Sequence, residues 1–221
     1  MRIRIATHED IPAIEQLRIT AYKTATGSKI PNDSFLYWNE IDDQAIILVL
    51  EDETKQIIST MRGNLINTKK ALEQLFDISL KKPFSFPVFT MGRAATFSEY
   101  RGLGYSAVMR ILFLQACLNS KVQFIASTIQ EDASRVNLLR KMGYHIEEAD
   151  ISHRMNSCFD NTSAALFNLL PQQYFFNALI IANSKVVTPV SDFEIEGGLI
   201  STIKRQIENF YLPNYEHVNL K

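Results

Sequence analysis

The segment that most restricts the fold runs from Val88 to Asn119. Residues 88–97 read as a strand, fenced upstream by Pro83 and Pro87. Ser98-Glu99-Tyr100-Arg101-Gly102-Leu103-Gly104 is a turn by composition. Residues 105–119 have helical spacing, with an apolar face of Val108, Ile111, Leu112 and Gln115 flanked by Leu114 and Leu118. A strand that enters a helix through two glycines points several backbone amides into one concavity at the positive end of the helix dipole. Such a concavity suits an anion, most naturally phosphate. Gly102 and Gly104 let a ligand approach the backbone closely, and Arg101 adds charge and hydrogen bonds. The same turn also serves as a tight connection with no ligand. It does not fit a Walker loop, which requires Gly-Lys-Ser/Thr, nor the dinucleotide fingerprint, which requires a third glycine. A pyrophosphate held by a different fold remains.

The flanking segments supply the rest of a domain. Arg2 to Ala6 alternate charged and apolar side chains as a half-buried strand does, and Thr7 stands at an N-cap position. Ile11, Ile14, Leu17, Arg18 and Ala21 then recur at helical spacing, with Pro12 in the first turn. Residues 27–33 are loop by composition, and a short helix is expected through Trp38. Residues 45–50 and 56–66, joined by the polar turn 51–55, read as an antiparallel hairpin, and 68–80 has helical composition. A strand is expected at 122–128, a helix at 132–142 closed by Gly143, and a last core strand beginning at 144–146. Past Asp150 the pattern changes to an Asn/Ser-rich linker and then to helical segments near 164–183 and 198–211. These elements predict an α+β fold: a mixed, mostly antiparallel sheet flanked by helices over residues 1–150, with a helical C-terminal extension over 151–221 packing on that core.

Composition narrows the function. The 221 residues are 46% hydrophobic, with 23 Lys+Arg against 24 Asp+Glu for a net charge of −1, which excludes disorder and argues against a general nucleic-acid binder. Cys117 and Cys158 form no CxxC pair, so both read as ordinary thiols and no metal is expected. No apolar run precedes Glu9 and Asp10, and Asn168, Pro171, Gln172, Gln173 and Asn177 interrupt the apolar stretch 164–182. No signal peptide or membrane span is expected, and the expected location is cytoplasmic. His8, His145, His153 and His217 are scattered without HExxH or triad context.

The spacing Arg-x-x-Gly-x-Gly/Ala between a strand and a helix resembles the GCN5-related N-acetyltransferase (GNAT) superfamily over about residues 2–148. The opening Ile3-Arg4-Ile5-Ala6-Thr7 to Asp10-Ile11-Pro12-Ala13-Ile14 and the ending Leu138-Leu139-Arg140-Lys141-Met142-Gly143-Tyr144 are similar to that family's first strand and helix and to its closing helix. The resemblance implies an acyltransferase with acetyl-CoA or a longer acyl-CoA as co-substrate. It places the pyrophosphate at Arg101, Gly102, Leu103, Gly104, Tyr105 and Ser106, and the pantetheine along the backbone of Ala95 and Thr96. Two positions depart from the pattern. Ser106 replaces Gly or Ala, and Leu139 replaces the tyrosine that many members use to protonate the departing thiolate. Glu99 and Asp43 are the candidate bases; each could equally be a solvated carboxylate on a turn.

Arg18 with Tyr22, Trp38, the pair Asp42-Asp43, Arg62 and Gly92-Arg93 are also similar to the acyl-homoserine-lactone and long-chain N-acyl amino acid synthases, whose donor is an acyl carrier protein. Thr90 stands where those synthases have a Glu. That branch makes Arg18, Trp38, Arg62 and Arg93 acceptor-binding residues. Buried arginines require an anion, which an acceptor carboxylate would provide and which Asp42, Asp43 or Glu40 would provide equally. The aromatic cluster Tyr174-Phe175-Phe176 with Phe167 reads as an acyl-pocket wall, core or dimer contact. The expected activity is transfer of an acyl group to a primary amine of a small molecule or protein. A catalytically silent acyl-CoA-binding module is the non-enzymatic alternative.

Overall fold

Period-2 patterning and β-branched runs produce the strands where the sequence places them. In a computed structural model, residues 1–26, 36–80, 85–118, 120–130, 145–148, 164–169 and 193–209 are described. The strands are β1 (Arg2–Ile5), β2 (Ile46–Glu51), β3 (Ile57–Ile66), β4 (Val88–Thr96), β5 (Phe124–Gln130), β6 (His145–Glu148), β7 (Ala164–Leu169) and β8 (Glu194–Ile195). The helices are α1 (Ile11–Thr26), α2 (Glu40–Asp43), α3 (Lys69–Phe76), α4 (Tyr105–Leu118) and α5 (Leu199–Asn209). Among the described residues the strands form one sheet in the order β6-β7-β5-β4-β3-β2-β1-β8. The pairs β4–β5 and β1–β8 are parallel and the other five are antiparallel, so the fold is α+β with a mixed sheet.

The sheet is covered on both faces. All six residues of β2 are buried. Ile46, Leu48 and Leu50 join Val108, Leu112 and Phe113 of α4 on one side, and Ile47 and Val49 join Ile14, Leu17 and Ala21 of α1 on the other. A strand buried twice over loses its alternation and reads as a continuous apolar run. Asp10 joins the α1 face to the strand edge. Arg4 bridges its carboxylate at 2.6 Å and that of Glu51 at 2.5 Å, and the 3-10 turn His8–Asp10 leads into α1.

Three elements differ from expectation. The stretch expected to begin a helix at 164 is β7, which lies between β5 and β6 and pairs with both in antiparallel fashion. Ladder pairing on two sides overrides helical composition there. The helix expected through Trp38 instead begins after it, at Glu40, because Asn39 is the residue that can cap: its side chain accepts from the Ile41 amide at 3.1 Å. The buried face of α4 contains Met109, Phe113, Ala116 and Cys117, with Ile111 and Gln115 only half-buried. The reason is α5, which packs Leu199, Ile203 and Ile207 into the same cluster and encloses α4 between itself and the sheet. The helix expected at 132–142 lies outside the described residues.

Candidate functional site

β4 is where the sheet opens. Its ladder with β5 covers Val88 to Thr90 and ends there, while its ladder with β3 continues to Thr96. At the next register position the Ser127 hydroxyl reaches the Met91 carbonyl at 3.1 Å. Among the described residues, β4 carries no ladder partner from β5 beyond Thr90, which is the kind of separated edge along which an extended ligand can pair. Ala95 and Thr96 lie on this separated stretch.

An extra residue in β4 changes which side chains face α1. Arg62 pairs with Gly92 and Thr60 with Ala95, so two steps on β3 match three on β4. Arg93 sits in this bulge at a φ of 48°, a left-handed conformation that is uncommon for a side-chain-bearing residue. Phe89 and Met91 pack on the α4 face, but Ala95 packs on the α1 face. Gly92 shares the α1 face, and among the described residues a Cβ built there meets no atom within 4 Å beyond its chain neighbours.

The expected phosphate turn follows β4. Gly102 and Gly104 have φ of 82° and 83°, conformations that glycine adopts without strain. The first helical amides, Ala107 and Val108, both reach the Gly104 carbonyl, so the backbone from Gly102 to Ser106 lies upstream of the α4 ladder. Arg101 is exposed, and its guanidinium donates to Thr96 O at 3.2 Å and to Ala21 O at 2.6 Å. Its side chain thus ties the turn to the end of β4 and to α1, and brings its charge to the same place. Glu99 is exposed on the 3-10 turn Ser98–Tyr100 and accepts from the Ser98 hydroxyl at 3.0 Å.

On the α1 face, a single carboxylate gathers three arginines. Asp42 Oδ2 and Oδ1 accept from Arg18 at 3.0 and 3.1 Å, from Arg93 at 2.8 Å and from Arg62 at 3.2 Å. Asp42 and Arg18 side chains are fully buried, and those of Arg62 and Arg93 are 8% and 10% exposed. Burial alone would raise the Asp42 carboxyl, but Arg18, Arg93 and Arg62 together hold it below the ordinary aspartate range. Burial lowers the Arg62 guanidinium despite Asp42. Arg93 falls to about 10, driven by burial and then by the charge of Arg62. The buried Nε atoms of Arg18 and Arg62 have no hydrogen-bond partner. Three buried cations against one anion form an electrostatically incomplete group, and a second anion would complete it.

Trp38 and Asp43 border this group. The Trp38 indole donates to Asp43 at 2.6 Å, its backbone amide donates to Glu15 at 2.7 Å, and Arg18 lies 6.0 Å from its ring centroid. The structure thus brings Arg18, Trp38, Arg62, Arg93 and Asp43 together around Asp42, and places Arg101 to Ser106 at the end of β4 with Ala95 and Thr96. Sequence reasoning did not identify two features: the open space over Gly92 and the bulge at Arg93. Neither shows in the sequence alone, because an extra residue and the space over a glycine appear only against the partner strand and the packed helix. Leu139, Cys158 and the Tyr174-Phe175-Phe176 cluster lie outside the described residues. Among the described residues, no His/Cys/Asp/Glu group is arranged to hold a metal ion, and no helix is long and apolar enough to cross a membrane.

No family model and no curated protein matches the sequence. Solved structures do match. The CoA-dependent acyl-homoserine lactone synthase BjaI, determined with SAM and isopentyl-CoA, is 12% identical with a TM-score of 0.55, covering 92% of this chain and 98% of its own. The CoA-dependent acyl-homoserine lactone synthase MesI is 11% identical with a TM-score of 0.52, covering 89% and 100%. A GNAT-family acetyltransferase from Listeria monocytogenes is 14% identical with a TM-score of 0.52, covering 76% and 93%. At these identities the likeness is one of fold. With the sheet opening beyond Thr90, the bulge at Arg93 and the two-glycine turn into α4, this chain has the fold shared by GNAT acetyltransferases and acyl-homoserine lactone synthases.

Proposed function

We propose that the protein is an N-acyltransferase that moves an acyl group from an acyl-CoA thioester to the amine of a small acceptor carrying a carboxylate. The observation that carries this reading is the group of three buried arginines sharing Asp42 beside the strand where the sheet opens. In this reading the pantetheine runs along β4 past Met91, and the pyrophosphate lies at the positive end of α4. The thioester carbonyl then stands near Gly92, and the acceptor carboxylate contacts Arg62 and Arg93. Holding both reactants in place supplies much of the acceleration for amine attack on a thioester. The extent of the likeness to the two acyl-homoserine lactone synthases, about nine-tenths of the chain, supports a small-molecule acceptor and a CoA donor.

The test is isothermal titration with acetyl-CoA, a long-chain acyl-CoA and free CoA, followed by mass spectrometry after incubation with α-amino acids and S-adenosylmethionine or with their carboxamides. Micromolar donor binding and product from the carboxylates but not the carboxamides are expected. Binding with the thioester left intact by every amine would make the protein a silent acyl-CoA binder. No binding of any CoA species would remove CoA as the donor, and acyl carrier protein would be tested next.

A further inference from the structure

An acyltransferase with a carboxylate acceptor needs an anion at the arginine group, and the charge of the group sets the charge of that anion. The three guanidiniums are of two kinds. Arg18 has a fully buried side chain and meets both oxygens of Asp42, so these two form a bidentate pair with no net charge and no surface left for a ligand. Arg62 and Arg93 each reach Asp42 through one nitrogen only, and both side chains keep some exposure. The Arg62 Nε is buried without a partner, and Arg93 adds one bond, to the Tyr37 carbonyl. Among the described residues, two positive charges therefore remain once Asp42 is counted against Arg18.

The fold sets both charges beside one gap. Arg62 and Gly92 are opposite residues in the β3–β4 ladder, and Gly92 carries the open space. Arg93 is the next residue along, and strand alternation would send it toward α4. The bulge, with its φ of 48°, instead lets the guanidinium reach Asp42 on the α1 side. The neighbouring buried polar side chains Asn64 and Thr90 are neutral. Of the nearby carboxylates, Asp43 is exposed and holds the Trp38 indole, and Glu15 holds the Trp38 amide.

We propose that the acceptor is a dianionic amine, whose two negative charges match Arg62 and Arg93: an α-amino diacid or an amine bearing a phosphate monoester. This rests on the acyltransferase reading and narrows its acceptor. A single carboxylate leaves one half-enclosed cation uncompensated, which a low-dielectric interior penalises. A guanidinium presents paired donors that match one carboxylate or two oxygens of a phosphate. Arg93 stays protonated at neutral pH even at about 10, so the charge is there to be met. The same excess repels an amine that carries a further cation, such as lysine or S-adenosylmethionine.

The test measures kcat/KM with one acyl-CoA and matched amines: glutamate against glutamine, aspartate against asparagine, and O-phosphoserine against serine, with lysine and S-adenosylmethionine as cationic acceptors. In at least one pair the charged member should exceed its uncharged counterpart about 10²-fold, because a site that bonds a charged group rejects the analogue lacking it. Preference within the first two pairs identifies a diacid, and within the third a phosphate. That ratio should fall toward one in Arg93→Met with circular dichroism unchanged, whereas a merely structural arginine would leave it as it is. Should Arg93→Met fail to fold, the wild-type ratios decide alone. Turnover with equal rates inside all three pairs, a ratio unmoved in folded Arg93→Met, or the highest rate with a cationic acceptor would overturn the dianionic acceptor while leaving the acyltransferase reading intact. No product from any amine would overturn both.

Discussion

Asp42 makes the protein depend on a single buried carboxylate, and its arginines are not equivalent. Arg18 is bidentate and fully buried, whereas Arg93 donates one bond to Asp42 and one, at 3.2 Å, to the exposed Tyr37 carbonyl. Burial lowers the Arg93 guanidinium, and repulsion from Arg62 and Arg18 lowers it further, with Asp42 offsetting only part of this. Arg93→Met should therefore leave the melting temperature unchanged or raise it by a few degrees, while lowering kcat/KM for a carboxylate acceptor at least about tenfold. That combination is the trade expected where a site is charged for a ligand and not for the fold. A fall in melting temperature with activity retained would make the cluster structural.

Asp42→Asn is the opposite case. It strands three buried cations and should cost about 3–5 kcal/mol in urea unfolding.

Asp10 sets a pH dependence of known sign. Hydrogen bonding to Arg4 holds its carboxyl at about 2 against an ordinary 3.8, although burial pulls the other way. The folded value is depressed, so the stabilisation is present above the ordinary value and is lost as pH falls through about 2. Urea unfolding of wild type and Asp10→Asn should differ by about 2 kcal/mol at pH 6, and the gap should close between about pH 4 and 2. A gap independent of pH would mean that Asp10 acts through packing.

At the scale of elements, two glycines in paired strands have opposite reasons. Gly63 of β3 is filled space: a Cβ there would lie 2.5 Å from the Phe89 ring and 2.8 Å from that of Phe113, whose centroids are 5.4 Å apart. Gly63→Ala must displace one ring of the core and should cost about 1–3 kcal/mol, read by urea unfolding. Gly92 of β4 is open space. Gly92→Leu should fold with wild-type stability and lose most acyl transfer, with acceptor KM rising or turnover disappearing. An active Gly92→Leu would place the reacting groups elsewhere.

The sequence does not distinguish the two cases, because the space around a strand glycine is set by the partner strand and the helix packed over it. β1 was legible through alternation, β2 as a continuous β-branched apolar run, β3 through the polar turn before Gln56, β4 through bounding prolines, and α1 and α4 through period. The bulge was not, since one extra residue shows only against the partner strand, and that residue decides which face Arg93 and Ala95 take. The arginines were legible as residue types, whereas their convergence on Asp42 required the capped α2. β7 was misread because Ala164 to Leu169 carries no alternation to distinguish a doubly paired strand from an apolar helix.

At the scale of the whole molecule, the chain closes on itself at its first strand. β8 pairs in parallel with β1, the Glu194 amide bonds the Met1 carbonyl at 2.9 Å, and the Glu196 amide bonds that of Ile3 at 3.0 Å. Phe193 then meets Tyr105 edge-on with centroids 5.8 Å apart, and Leu199, Ile203 and Ile207 complete the cluster around α4. Each of those aliphatic side chains contributes about 1.5–3 kcal/mol by burial, so together they approach the ~5–15 kcal/mol net stability of an ordinary domain. Truncation before Phe193 should therefore do more than shorten the protein. It should uncover the β1 edge and the outer side of α4 in one step, giving a chain that binds hydrophobic dye and loses its near-ultraviolet dichroism. Cys117 provides an internal readout. Burial raises its thiol well above the ordinary range, so in a Cys158→Ser background a disulfide reagent should leave it unmodified in the full chain and label it rapidly in the truncated one. A truncated chain whose Cys117 stays protected and which still binds acyl-CoA would show that the first 192 residues complete the core without α5.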